Sequence, residues 1–303
     1  MNFSIGIKSD PIEYRFTFEW LFALCRDLDI RYVQLGSFFE LYSCGDGYFR
    51  NLRDLGDKYR VRIKSCFTSH RELGGFFSGD PFLEKAARKN YERYIEAASF
   101  LGADYMGSNP GSVFRDRMHY KQKGIDCYLR HMKELMVLAK EKGLKALTME
   151  PMSSSAEPPS IPEELDYMLS TLREHHSSSG GTTVPVFLCG DISHGFADKD
   201  KKIVHSNMDL FAHELPFMAE FHFKNTDAFF DSTFGFSKEE QVRGIVDLRR
   251  VKKLLDEKGE EIPVDHLVGY FETGGPKLGR DYSDGSLKEV LTESVKAIQD
   301  IFT

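Results

Sequence analysis

Val186-Phe-Leu-Cys-Gly-Asp191 is a short apolar run that stops at a carboxylate, and three more runs end in the same manner: Ala146-Leu-Thr-Met-Glu150, Ala219-Glu-Phe-His222 and Val268-Gly-Tyr-Phe-Glu272. Each reads as a β-strand whose last residue can bind a divalent cation. The spacings of 41, 31 and 50 residues fit successive strand–helix repeats with loops of unequal length. In a barrel of parallel strands every strand C-terminus opens onto one face, so residues distant in sequence converge there. A lone Glu at a strand end is more often a surface residue or an ion-pair partner. Four ligand-type residues in register point instead to a shared site. Three carboxylates and one imidazole suit Mn²⁺, Mg²⁺ or Co²⁺ better than a thiolate-bound metal, with Zn²⁺ as a further candidate.

Outward from these runs, strand-like and helix-like segments alternate along the whole chain. Strands are expected at 3–8, 32–38, 61–68, 104–108, 145–150, 184–190, 217–224 and 266–272. Helices are expected near 17–29, 50–60, 81–101, 120–142, 162–175, 208–214, 237–258 and 286–301. The 81–101 helix has Asp80-Pro81 as its N-cap and first residue and Gly102 as its stop. Eight βα units in one pattern predict an α/β fold, a single (β/α)8 TIM barrel spanning residues 1–303 as one domain, because parallel strands require helical crossovers. An open doubly wound sheet would show a Gly-rich phosphate turn after its first strand, and Ile7-Lys-Ser-Asp-Pro11 is not one. The segments Pro151–Ser160 and Gly195–Met208 are expected as rim loops, the latter carrying the charge run Asp198-Lys-Asp-Lys-Lys202 as a solvated stretch.

Composition narrows the function. The chain of 303 residues is 41% hydrophobic and 13% aromatic, ample for a core. Its formal net charge of −7 argues against a general affinity for nucleic acid. Nothing approaches the roughly 20 apolar residues of a membrane span. Five cysteines without a CxxC pair, and a start with neither a basic nor an apolar leader segment, point to a reducing cytoplasm.

These runs resemble the xylose-isomerase-like barrel superfamily of sugar isomerases and epimerases. The resemblance lies in a Glu ending strand five (Glu150), an Asp-x-x-His after strand six (Asp191-Ile-Ser-His194), a His ending strand seven (His222-Phe-Lys-Asn) and a Glu ending strand eight (Glu272). It covers essentially the whole chain and is most specific in the second half, where the tail Phe271-Glu-Thr-Gly-Gly-Pro-Lys-Leu-Gly-Arg280 is also similar. The ketose 3-epimerase branch implies Glu150, Asp191, His222 and Glu272 as metal ligands and His194 against a substrate hydroxyl. Epimerases of the tagatose/psicose type carry an Arg shortly after the strand-seven His. This chain has none there, and Lys224 or Arg280 is the candidate replacement. His70 and Asn109, at the ends of strands three and four, complete the candidate substrate contacts. The superfamily also contains endonuclease IV, but its additional His ligands are incomplete here and the net charge is unfavourable.

The expected activity is therefore a metal-dependent isomerase or epimerase acting on a small ketose, neutral, phosphorylated or acidic. The metal would polarise the carbonyl and stabilise an enediolate, with Glu150 and Glu272 as base and acid. Two other classes stay open: a decarboxylase or lyase of a 3-oxo sugar acid on the same site, and a non-catalytic sugar-binding barrel. The partner is a small sugar or sugar derivative, and a homo-oligomer is compatible with the resemblance.

Overall fold

A computed structural model of the chain describes residues 2–36, 40–68, 73–276 and 278–302. Eight strands close into a parallel barrel: β1 (Asn2–Lys8), β2 (Tyr32–Leu35), β3 (Arg62–Thr68), β4 (Tyr105–Ser108), β5 (Ala146–Met149), β6 (Val186–Asp191), β9 (Met218–Phe223) and β10 (His266–Phe271). Their order around the sheet is β1-β10-β9-β6-β5-β4-β3-β2. A separate antiparallel pair, β7 (Phe196–Ala197) and β8 (Ile203–His205), lies between β6 and β9 in sequence. Helices separate the barrel strands, as (β/α)8 connectivity requires. No helix among the described residues is long and apolar enough to cross a membrane.

The chain divides into two compact units, one comprising Met1–Gly36, Leu52–Ile63 and Gly190–Thr303, the other Ser37–Asn51 and Lys64–Cys189. In the first, β1 pairs with both β2 and β10, and β10 pairs with β9. Strand alternation on β9 separates two environments. Phe221 and Phe223 pack with Phe3, Phe211 and Phe302, with ring centroids 4.7 Å apart for Phe221–Phe223 and 5.0 Å for Phe223–Phe302. Glu220 and His222 alternate with them on the opposite side of the strand, and both are fully buried.

In the second unit β4 lies between β3 and β5, and β5 pairs with β6. Its core is the Pro81–Leu101 helix against the Lys121–Glu141 helix, where Phe76 stacks on Tyr91 and His131 and Phe77 leans on Tyr128. The Pro81–Leu101 helix begins and ends where its capping residues predict. The Asp80 carboxylate accepts the N–H groups of Phe82 and Leu83, and Gly102 closes the helix at φ 71°. Phe76 and Phe77 belong to this packing.

Two segments differ from the sequence reading. The single helix expected over 237–258 is two helices, Lys238–Arg243 and Leu248–Lys258. Between them Gly244 is extended, Ile245 N–H bonds the Thr226 carbonyl, and Val246 N–H donates to Asn225 Oδ1; Asp247 then caps the second helix afresh. The 195–208 segment, expected as a solvated loop, contains the β7–β8 hairpin. Asp198 Oδ1 builds its turn by accepting the N–H groups of Asp200 and Lys202, each at 2.9 Å.

Gly107 on β4 lies opposite Thr148 of β5, and a Cβ there would collide with both the Thr148 hydroxyl and its backbone carbonyl. Gly107→Ala is expected to destabilise the protein by about 1–3 kcal/mol, the usual range for overpacking a core. Urea unfolding checks this: the midpoint should fall while the slope stays unchanged.

Candidate active site

The C-terminal ends of the first unit's strands carry an unusual density of buried charge. Asp191 ends β6, His222 is the penultimate residue of β9, and Glu272 directly follows β10. Asp191 is 1% exposed and His222 fully buried. One ligand-type atom from each lies within 4.8 Å of the others. His222 Nδ1 is 3.3 Å from Glu272 Oε2 and 3.9 Å from Asp191 Oδ2.

The orientation of His222 is fixed from β2. Its Nε2 lies 2.8 Å from Gln34 Oε1, an oxygen that can only accept, so Nε2 carries the hydrogen. That leaves Nδ1 facing two carboxylate oxygens. Such an arrangement requires positive charge, which the Lys224 ammonium beside both oxygens, a proton on Nδ1 or a cation shared by all three groups could supply. The spacing is compatible with the last. Ligands about 2.1 Å from one ion lie about 3 Å apart at right angles and about 4 Å apart across it. A ligating His whose other nitrogen donates to a fixed acceptor is the usual outer arrangement of a metal site. The donor set, two carboxylates and an imidazole, fits Mn²⁺, Mg²⁺ or Co²⁺.

Two lysines complete the cluster. Lys224 Nζ is 2.5 Å from Asp191 Oδ2, 3.3 Å from Glu272 Oε2 and 3.0 Å from His194 Nε2. His194 Nε2 is in turn 3.4 Å from Asp191 Oδ2. Lys8, the last residue of β1, reaches Glu272 Oε1 at 2.5 Å and Asp10 Oδ2 at 3.1 Å. The remaining Asp191 oxygen, Oδ1, accepts the backbone N–H and hydroxyl of Ser193. Burial pushes the carboxyl of Glu272 up, but His222, Lys224 and Lys8 outweigh it and hold the group well below the ordinary range. Asp191 is also lowered: His194, Lys224 and His222 overcome its burial and the repulsion of Glu272. Asp10 is raised, by burial first, with Lys8 acting against it.

The other sequence-derived candidates divide. In the second unit Glu150 directly follows β5 and is 4% exposed; Asn109 Nδ2 donates to its Oε2 at 3.2 Å and lies 3.1 Å from Met152 Sδ. Asn109, expected at the substrate, therefore holds a carboxylate. His194 and Lys224 join the cluster. Arg280 does not: it is exposed, precedes a short helix (Asp281–Asp284), and its guanidinium donates to the Gly279 carbonyl. His70 lies outside the described residues. Sequence reasoning missed Lys8, Asp10 and Gln34, although Lys8 and Gln34 lie at strand ends as the ligands do.

The fold and this cluster define an α/β barrel with a carboxylate-and-imidazole centre at its strand ends. The chain belongs to the xylose isomerase-like TIM barrel family, whose model matches residues 22–266. Among solved structures it is similar to a provisional xylose isomerase from Rhodospirillum rubrum, at 19% identity over 99% of both chains with a TM-score of 0.79. It is similar also to D-psicose 3-epimerase from Clostridium cellulolyticum (12% identity, TM-score 0.71, 100% of this chain and 99% of that one). A third is 3-keto-D-glucoside 4-epimerase from E. coli (11% identity, TM-score 0.64, 98% of this chain and 100% of that one). At such identities the likeness shows the fold. A comparison with curated protein sequences finds no match.

Because Asp191 and Glu272 are held below their ordinary range, the stability they contribute is complete above about pH 5 and is lost as pH falls through their lowered values. Lys224→Met is expected to cost the metal-free protein about 3–5 kcal/mol at neutral pH, as for breaking a buried ion pair. That deficit should narrow as the carboxylates protonate. Denaturant unfolding with chelator across this range checks it; a deficit independent of pH would assign the loss to packing and not to charge.

Proposed function

We propose that this chain is a divalent-metal-dependent isomerase or epimerase of a small ketose, working by proton transfer at the carbon beside the carbonyl. One observation carries this reading: His222 Nδ1, its tautomer fixed by Gln34, faces Asp191 and Glu272 at ligand spacing. The similarity in fold to a D-psicose 3-epimerase and a 3-keto-D-glucoside 4-epimerase supports it.

We assign Glu150 as the fourth ligand. Glu150 directly follows β5 much as Glu272 directly follows β10, and this shared strand-end position supports the assignment. When bound, a divalent cation would polarise the ketose carbonyl and stabilise the enediolate formed on loss of the neighbouring proton. The protein's own groups do the rest. Glu150, which accepts from Asn109, would take that proton, and Glu272 would return one to the other face where the product is an epimer. His194 would present its imidazole to a substrate hydroxyl, with Lys224 against its Nε2. Fixed before substrate arrives, these groups need no reorganisation at the moment of reaction.

The same metal-stabilised enediolate would also serve a decarboxylase or lyase of a 3-oxo sugar acid on this site. Release of CO₂, in place of a stereochemical change, separates the two.

The test is solvent-deuterium exchange into a panel of ketoses, ketose phosphates and 3-oxo sugar acids, with Mn²⁺ and with chelator. Exchange beside the carbonyl is expected to require Mn²⁺ and to fall by about 10²–10⁴-fold in Glu150→Gln, the usual worth of a general base. Metal binding without exchange into any compound would leave a non-catalytic sugar-binding barrel. Failure to bind Mn²⁺ would sink the metal centre itself.

A further inference from the structure

A row of alternating charge crosses three neighbouring strands of the first unit. β1 and β10 pair with Ile7 opposite Phe271, and β10 and β9 with Phe271 opposite Phe223. The next residues along are Lys8, Glu272 and Lys224, and the ladder continues through Glu272 N–H to the Phe223 carbonyl at 3.0 Å. Glu272 thus stands between two lysines, and its oxygens are divided. Oε1 is 2.5 Å from Lys8 Nζ, whereas Oε2 is 3.3 Å from both His222 Nδ1 and Lys224 Nζ. Lys8 is 5% exposed, and its charge is met by Asp10 as well as by Glu272.

We propose that Lys8 is a positioning residue, holding Glu272 Oε1 so that Oε2 alone is presented to the cation. The inference rests on the metal-centre reading above. It pairs Lys8 with its register neighbour on β2, Gln34, which orients His222 in the same way. Two adjacent strands thereby each fix one ligand.

A bystander role predicts the opposite sign. If Lys8 merely neutralised buried charge, removing its ammonium would tighten binding of a cation nearby. If it positions Glu272, removing it frees the carboxylate to turn away, and affinity falls by about 10–100-fold, as for other outer partners of metal ligands. The experiment is Mn²⁺ titration, followed by the loss of the free-ion electron paramagnetic resonance signal, on wild type, Lys8→Met, Glu272→Gln and the double variant. Thermal unfolding in chelator establishes that each is folded, and Lys8→Gln takes the place of Lys8→Met in the cycle if the latter is not.

The expected result is a weaker Lys8→Met and no further loss when Lys8→Met is added to Glu272→Gln, because the lysine acts through that carboxylate. Tighter or unchanged binding in Lys8→Met, or an equal loss in the Glu272→Gln background, would overturn the positioning role and leave the metal centre standing. A wild type that binds no Mn²⁺ would overturn both.

Discussion

Buried carboxylates that must be held as anions are the constraint on which the rest of the site depends. Asp191 has left water and Glu272 is largely withdrawn from it, and desolvation alone would drive each to take up a proton. The chain answers with Lys8, Lys224, His194 and His222, every one of them buried and within ionic reach of a carboxylate. In so dry an environment the attraction between these charges is strong, but so is the cost of leaving any one unmatched. The cluster is therefore stable only as a set. A set with two carboxylate oxygens and an imidazole nitrogen turned toward one point is what a divalent cation would complete.

The placement of that set follows from parallel-strand geometry. Parallel strands in a closed sheet are buried on both sides, so alternate residues serve different masters. On β9, Phe221 and Phe223 lock the strand to Phe211 and Phe302, and the intervening His222 is aimed by the same alternation at Gln34 and Glu272. A slip of one residue would exchange the aromatic and the imidazole faces. Core packing and site geometry are thus one commitment of the backbone.

The ligand-type residues were legible because each closes its own apolar run, a local signal that needs no knowledge of partners. The Pro81–Leu101 helix was legible for the same reason: Asp80, Pro81 and Gly102 punctuate it locally. Lys8 and Gln34 were not, because their roles depend on lateral register. Lys8 meets a carboxylate 264 residues away and Gln34 an imidazole 188 residues away. Nothing near Ile7-Lys8 or Gln34-Leu35 announces either contact. The break at 244–247 was hidden in a similar manner, since Asn225 and Thr226, on a different segment, tie Ile245 and Val246 out of helical geometry.

The substitution of Lys224 for the expected arginine has a physical logic of its own. A guanidinium is a planar fork suited to grip two oxygens of one partner. An ammonium is a compact charge with three donors that radiate from one atom. The space at Lys224 asks for the latter: Asp191 Oδ2, Glu272 Oε2 and His194 Nε2 are three acceptors from three different chain segments, at 2.5, 3.3 and 3.0 Å. Lysine fits that convergence, and a planar fork would leave at least one of the three unmet. The ammonium is thus engaged by the chain's own carboxylates and imidazole.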